Sequence, residues 1–245
     1  MYRKDSLKYI NIPILYRKVP LLDRFVYLLS RSYLIPLPSE KIDVIMKIEK
    51  FTESDIREAA ELTYPVWGVG HAGNGNGREF GLLMCEYIVR YGWYGAPYAF
   101  KMVDSEGKMG ACILAGDHTH DNGYDRWLES LMSTFNVGQR AEALALREYF
   151  GRTAPKVYQH MTAGKDLYIS FFISAVPGCG KQLLAELMNL AKSNGYSAMY
   201  LWTDSSCDHD YYAHHRFDKV AEFKSDEWKF DSNEYLTYIY KKSVE

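Results

Sequence analysis

The stretch that decides the fold is residues 166–223, which read DLYISFFISAVPGCGKQLLAELMNLAKSNGYSAMYLWTDSSCDHDYYAHHRFDKVAEF. The pattern predicts a strand, a glycine turn, a helix, a second strand, a short tyrosine-bearing helix and a third strand. Tyr168 to Val176 are mostly apolar, β-branched or aromatic, as in a buried strand. Leucines at helical spacing begin at Leu183, and Asn194-Gly195 ends that helix. The alternation predicts a domain that mixes helices with a sheet.

The turn between the first strand and the helix is the candidate binding element. Pro177, Gly178 and Gly180 break the strand, and the turn then leads into a helix N-terminus. Several backbone N–H groups converge at such a point, with the positive end of the helix dipole behind them. The turn therefore predicts an anion site, and we expect a cofactor pyrophosphate as its ligand.

A P-loop, GxxxxGK[ST], is one motif that this turn approaches. The frame here is Ala175-x4-Gly180-Lys181-Gln182, so the opening glycine and the hydroxyl that would hold magnesium are both missing. Asp204 ends the next strand, where a second metal-binding carboxylate would stand. This alternative predicts that the protein binds ATP and magnesium.

The same segment resembles the GNAT family of N-acetyltransferases at two motifs. The family's acetyl-CoA signature is a strand, then Q/R-x-x-G-x-G/A, then a helix that usually opens with paired leucines. Residues 178–184, GCGKQLL, match the glycine half and the leucines. After the next strand the family has roughly F-Y-x-x-x-G-F, and residues 211–217, YYAHHRF, fit that frame. The order and separation of the motifs also agree with the family.

The resemblance implies a fold and a co-substrate. The fold is acyl-CoA N-acyltransferase-like, an α/β domain of the α+β type whose mixed, largely antiparallel central sheet is flanked by helices. The co-substrate is acetyl-CoA, and no metal is required. The pantetheine arm would pair with backbone groups freed by a bulge or splay over Phe172–Ala175, and the pyrophosphate would bind the amides of the turn. The implied cofactor-binding residues are Ile173, Ser174, Ala175, Gly178, Cys179, Gly180 and Lys181.

Tyr212 is the candidate catalytic residue, because the family often places a tyrosine there to protonate the leaving thiolate. A thiol with a pKa near ~8.5 and a phenol near ~10 differ by about 1.5 pKa units. Proton transfer from the phenol therefore costs about 2 kcal/mol. The implied activity is transfer of an acetyl group to a primary amine by direct attack.

Two departures from the family pattern keep a second interpretation open. Ala175 stands where the motif has Gln or Arg, and Arg216 replaces the glycine before Phe217. The alternative is a catalytically degenerate relative that binds CoA or a partner protein. Cys179 at a helix N-terminus is a further candidate, as a nucleophile, although the family transfers the acetyl group directly.

Composition bounds the partners and the compartment. The formal net charge of −2 gives no global attraction to nucleic acid or to an anionic membrane. Four scattered cysteines without a CxxC pair are typical of reduced thiols in a cytoplasmic protein. We expect a small-molecule or peptide amine as acceptor, no nucleic acid or membrane partner, and a homodimer as a candidate assembly.

The chain divides into an extension and one domain. Residues 1–41 carry an amphipathic stripe and predict an N-terminal helical extension, and residues 42–245 form the acetyltransferase-like domain. A mostly helical insert lies at about residues 116–165. The glycine-rich segment Gly68–Gly81 predicts a mobile loop over the binding site.

The general base is left open by the sequence. The candidates are loop residues near the expected cleft: Glu79, Asp117, His118 and His120. Asp117-His118-x-His120-Asp121 also resembles a metal cluster, but a stable site usually draws ligands from more than one element, which favours a solvated polar loop.

Overall fold

The computed structural model describes residues 45–73, 75–117, 123–230 and 233–244. The predicted N-terminal helical extension, residues 1–41, lies outside the described residues, and so do His118 and His120. Within the described ranges, no helix is long and apolar enough to cross a membrane.

The described chain forms one sheet of seven strands. The strands are β1 (Lys47–Lys50), β2 (Tyr98–Val103), β3 (Met109–Gly116), β4 (Asp166–Ser174), β5 (Ala198–Asp204), β6 (Asp218–Phe230) and β7 (Asn233–Ser243). Their order in the sheet is β1-β2-β3-β4-β5-β7-β6. Only β4 and β5 run parallel, and the other neighbours are antiparallel. The prediction of a mixed, largely antiparallel sheet is therefore confirmed.

Helices cover both faces of this sheet and create two main cores. The helices are α1 (Ile56–Thr63), α2 (Arg78–Trp93), α3 (Gly123–Leu131), α4 (Val137–Tyr158), α5 (Cys179–Ser193) and α6 (Asp210–His214). Helices α1 to α4 form the core on one face of the sheet. Helix α5 forms most of the core on the opposite face, where its residues Leu183, Leu187 and Ala191 are fully buried. The segment between β3 and β4 thus contributes α3 and α4 to the first face.

A capping box precedes α1. The Asp55 carboxylate accepts hydrogen bonds from the backbone N–H of Thr52 at 2.7 Å and from its hydroxyl at 2.9 Å. Lys101 of β2 lies 2.7 Å from the other carboxylate oxygen. These contacts join the start of α1 to the sheet.

The glycine-rich segment Gly68–Gly81 is more helical than predicted. Tyr64–Gly68 forms a π-helical turn, Val69–His71 a further helical turn, and α2 begins at Arg78. A Cβ atom on Gly81 would lie 2.4 Å from the carbonyl oxygen of Gly68. The prediction of a loop is wrong at both ends of the segment, which are helical, because Gly68 and Gly81 permit close packing of helical turns.

Candidate functional site

The strands β4 and β5 separate partway along their length. They pair only where Asp166–Tyr168 meets Ala198–Tyr200, although β4 continues to Ser174 and β5 to Asp204. Beyond Tyr168, the edge of β4 that faces β5 has no strand partner among the described residues. Backbone donors and acceptors along this edge are therefore available to a ligand.

A bulge in β4 accompanies this separation. The register with β3 passes from Leu114 opposite Phe171 to Ala115 opposite Ile169, which leaves Ser170 as an extra residue. The Ser170 hydroxyl lies 2.8 Å from the carbonyl oxygen of Gly92 in α2. The separation of β4 from β5 covers Phe172–Ser174, where a bulge or splay is expected, but the bulge itself lies earlier, at Ser170.

A cavity of about 750 Å³ occupies the space between the diverging strands. Phe172, Tyr211 and Tyr212 line it from the face that carries α5, and they pack in that core. Trp67 and Phe150 line it from the face that carries α2 and α4. The cavity thus passes through the sheet, and two reactants can approach each other from opposite faces.

The glycine turn forms one end of the cavity. Gly178 has a φ of 86°, the left-handed conformation that favours glycine, and it precedes the first residue of α5. The Cys179 amide donates to the Val176 carbonyl at 3.2 Å, and the Gly180 amide donates to the Ser174 hydroxyl at 3.0 Å. The amides of Gly178 and Lys181 donate to no other described residue, so they are the amides of the turn that are available to an anion.

Six of the seven predicted cofactor-binding residues line the cavity, and Cys179 does not. The six are Ile173, Ser174, Ala175, Gly178, Gly180 and Lys181. The Cys179 residue is almost fully buried, and burial raises the pKa of its thiol. A raised pKa is the opposite of what a nucleophilic cysteine needs, so Cys179 does not fit that role.

Tyr212 lies on α6 at the wall of the cavity. Its half-buried ring packs against Phe217 and Tyr240, with centroid distances of 5.6 and 5.4 Å. Burial raises the pKa of Tyr212, and the negative charge of the Asp204 carboxylate raises it further. Full proton transfer from this phenol therefore costs more than the 2 kcal/mol expected from ordinary pKa values.

The cavity on the α2 and α4 face has aromatic walls. Tyr149 and Trp202 meet edge to face at 5.4 Å, Tyr149 and Tyr235 at 6.0 Å, and Phe150 and Trp202 at 5.3 Å. Trp67 and Cys207 also line the cavity. Burial raises the pKa of the Cys207 thiol to about 12, so it remains protonated at neutral pH.

Asp204 places a buried carboxylate among these rings. The residue is 6% exposed and lines the cavity at the end of β5. One carboxylate oxygen accepts from the backbone N–H and the hydroxyl of Ser206, at 2.9 and 2.5 Å. The other accepts a long hydrogen bond of 3.4 Å from the Tyr149 hydroxyl, which also lies 2.7 Å from the Thr237 hydroxyl. No basic side chain of the described residues forms an ion pair with Asp204.

A buried histidine–glutamate pair lies at the same cavity. The Nδ1 atom of His71 is 2.8 Å from the Oε1 atom of Glu142, and each residue is 7% exposed. His71 lines the cavity, whereas Glu142 stands behind it on α4. The sequence alone does not indicate this pair, because the two residues are 71 positions apart and neither belongs to a motif.

Two of the general-base candidates from the sequence, Glu79 and Asp117, lie away from the cavity. Glu79 has a 70% exposed side chain, which bonds Arg57 at 3.2 Å, and it does not line the cavity. Asp117 follows β3 at the end that pairs with Tyr168, which is the end of the sheet away from the cavity. Both are poor candidates on position. Among the described residues, no group of three or more His, Cys, Asp or Glu could hold a metal ion.

Arg216 explains one of the departures from the family motif. Its φ of 60° is left-handed, a conformation that glycine adopts freely and arginine adopts with strain. The backbone therefore keeps the shape for which a glycine is suited, although the residue has changed.

The P-loop alternative is wrong. A P-loop protein builds its nucleotide site on a predominantly parallel sheet, whereas β4 and β5 are the only parallel neighbours among the described strands.

Comparisons with known proteins agree with this topology. No protein-family model matches the chain, and no curated protein matches its sequence. Among solved structures, the C-terminal condensation domain of Ebony, in complex with β-alanyl-dopamine, superposes with a TM-score of 0.55 at 10% identity, over 82% of this chain and 100% of that one. Arylalkylamine N-acetyltransferase 2 from Aedes aegypti gives a TM-score of 0.51 at 12% identity, over 82% and 99%. The chain has the GNAT acyl-CoA N-acyltransferase-like fold.

Proposed function

We propose that this protein is an acetyl-CoA-dependent N-acetyltransferase that acts on a primary amine by direct transfer. The observation that carries the proposal is the separation of β4 from β5, which opens a cavity through the sheet between a glycine turn and a pocket with aromatic walls. The unpaired β4 edge can receive an extended amide-bearing chain by strand-like hydrogen bonding. Acetyl-CoA supplies such a chain together with an activated acetyl thioester.

The glycine turn also supports the fit of the chain to that co-substrate. The amides of Gly178 and Lys181 donate to no described residue, and both residues line the cavity. Free amides at a helix N-terminus favour an anion such as a phosphate. A Cβ on Gly180 would lie 3.0 Å from the Phe172 ring, so a glycine suits the close packing of the turn against the end of β4.

The reaction requires one proton to leave the acceptor and one to reach the departing sulfur. We assign the first to His71, since it is the one histidine that lines the aromatic side of the cavity among the described residues. Glu142 positions its ring and stabilises the imidazolium. For the sulfur, Tyr212 donates a hydrogen bond that stabilises the thiolate, since its raised pKa disfavours complete proton transfer.

An assay of thiol release tests the function. Purified protein is incubated with acetyl-CoA and a panel of primary amines, and mass spectrometry identifies the acetylated product. We expect release that depends on both the protein and an amine. Acetyl-CoA binding without transfer to any amine of the panel would refute the proposal and support the catalytically degenerate alternative.

A further inference from the structure

We infer that the acceptor is a primary amine that carries an aromatic ring, with its ammonium at Asp204 and its ring between Trp67, Trp202 and Tyr235. The inference names the acceptor class of the proposed transferase and rests on that function for the chemistry. Its evidence is separate, because it comes from the charge and the walls of the pocket.

The buried carboxylate of Asp204 favours a cationic ligand. A charge at 6% exposure is costly unless it is paired, and no basic side chain of the described residues pairs with it. Ser206 satisfies one carboxylate oxygen, while the other has only the 3.4 Å contact with the Tyr149 hydroxyl. An ammonium group provides three donors and can fill the remaining acceptor sites.

The aromatic walls of the cavity near Asp204 favour a ligand with an aromatic ring. Trp67, Trp202 and Tyr235 are half-buried and line the cavity, so part of their exposed surface faces it, whereas Tyr149 and Phe150 behind them are buried. Trp202 and Tyr235 each meet Tyr149 edge to face, and an aromatic ligand extends the same arrangement. An aliphatic ligand of equal size gains burial but not the ring contacts.

The charge distribution argues against a polycation. The carboxylates that line the cavity in the described chain are those of Asp204 and Asp208, and Asp208 is exposed. A polyamine or an aminoglycoside would leave further ammonium groups without partners inside an aromatic pocket. A monoamine matches the single buried carboxylate.

Calorimetric titration with matched ligands tests the inference without relying on turnover. The CoA-saturated protein is titrated with 2-phenylethylamine, with 2-cyclohexylethylamine, which keeps the charge and loses the aromaticity, and with 2-phenylethanol, which keeps the ring and loses the charge. We expect 2-phenylethylamine to bind at least about threefold more tightly than the cyclohexyl compound. Equal or tighter binding of 2-cyclohexylethylamine would overturn the aromatic assignment.

Asp204→Asn tests the ammonium site. Asparagine keeps a carbonyl oxygen for the Ser206 amide and removes the charge. We expect the Kd for 2-phenylethylamine to rise at least about tenfold while the Kd for CoA holds. Asp210→Asn is the matched control, because its side chain is 77% exposed and does not line the cavity. An unchanged Kd for 2-phenylethylamine in Asp204→Asn would remove Asp204 from recognition.

The outcomes separate this inference from the proposed function. If 2-phenylethylamine binds through Asp204 and neither it nor any other amine of the panel is acetylated, the inferred site stands and the function fails. If other amines are acetylated while 2-phenylethylamine neither binds nor reacts, the function stands and the inference fails.

Discussion

Replacing Glu142 by glutamine isolates the charge behind the proposed base. The Nδ1 atom of His71 lies 2.8 Å from Oε1 of Glu142, and both residues are buried. A glutamine can keep a hydrogen bond to His71, but it cannot neutralise the imidazolium that forms when His71 takes a proton from the acceptor. A hydrogen bond to a charged group contributes about 1.5–3 kcal/mol. We therefore expect kcat to fall about 10- to 150-fold.

The assay follows thiol release at pH 7 with acetyl-CoA and amine both saturating. The Kd for acetyl-CoA is expected to stay within about twofold, because Glu142 stands behind His71 rather than at the glycine turn. The deficit in kcat should narrow as the pH rises towards ~10, where an alkylamine loses its proton without a base. A purely structural defect would show no such recovery.

Glu148→Gln is the matched control on the same helix. Its side chain is 74% exposed and lies 4.0 Å from Arg152, so kcat should not change. An undiminished kcat in Glu142→Gln, or a deficit that is equal at every pH, would refute the assignment of the His71–Glu142 pair.

The remaining predictions concern one catalytic residue and two structural ones. Tyr212→Phe should lower kcat about 10- to 150-fold through loss of a hydrogen bond to the thiolate, with the Kd for acetyl-CoA unchanged in calorimetry. Asp55→Asn should lower the free energy of unfolding at pH 7 by about 1–3 kcal/mol in urea titrations. Burial alone would raise the pKa of Asp55, but the bonds from Lys101 and Thr52 lower it overall, so its stabilisation is present above pH ~3.8 and lost as the pH falls below that value. Arg216→Gly should raise the free energy of unfolding by about 0.5–1 kcal/mol, because relief of the left-handed strain exceeds the entropy cost of glycine.

Each of these three predictions has a result that would contradict it. Tyr240→Phe alters a ring that packs on Tyr212 and does not line the cavity, so an equal loss of kcat in both variants would point to packing rather than to the hydroxyl. For Asp55→Asn, a stability difference that persists at pH 2 would contradict the electrostatic cause. Arg216→Ala keeps the strain, and a gain equal to that of glycine would contradict the strain argument.

The sequence was sufficient for the elements around the glycine turn. Local patterns define them: the apolar run of β4, the leucine spacing of α5 and the strand that ends at Asp204. The capping box at Thr52 and Asp55 is equally local. Most of the predicted turn and strand-end residues border the cavity for the same reason, since they are neighbours in the chain.

The acceptor side could not be predicted, because it is assembled from distant segments. Four separate segments of the chain form the aromatic wall of the cavity, and they carry Trp67, Tyr149, Trp202 and Tyr235. The bulge at Ser170 depends on a hydrogen bond to Gly92, 78 residues away, and nothing next to Ser170 in the sequence indicates it. Helical packing also explains glycines that the sequence suggested were part of a loop.

Calorimetric titration of the purified protein with acetyl-CoA shows whether the cavity is a cofactor site, with Mg-ATP as the comparison ligand. We predict one site with a micromolar Kd for acetyl-CoA and no heat of binding with Mg-ATP. Absence of acetyl-CoA binding would contradict the claim that the separated β4 edge and the glycine turn form a cofactor site.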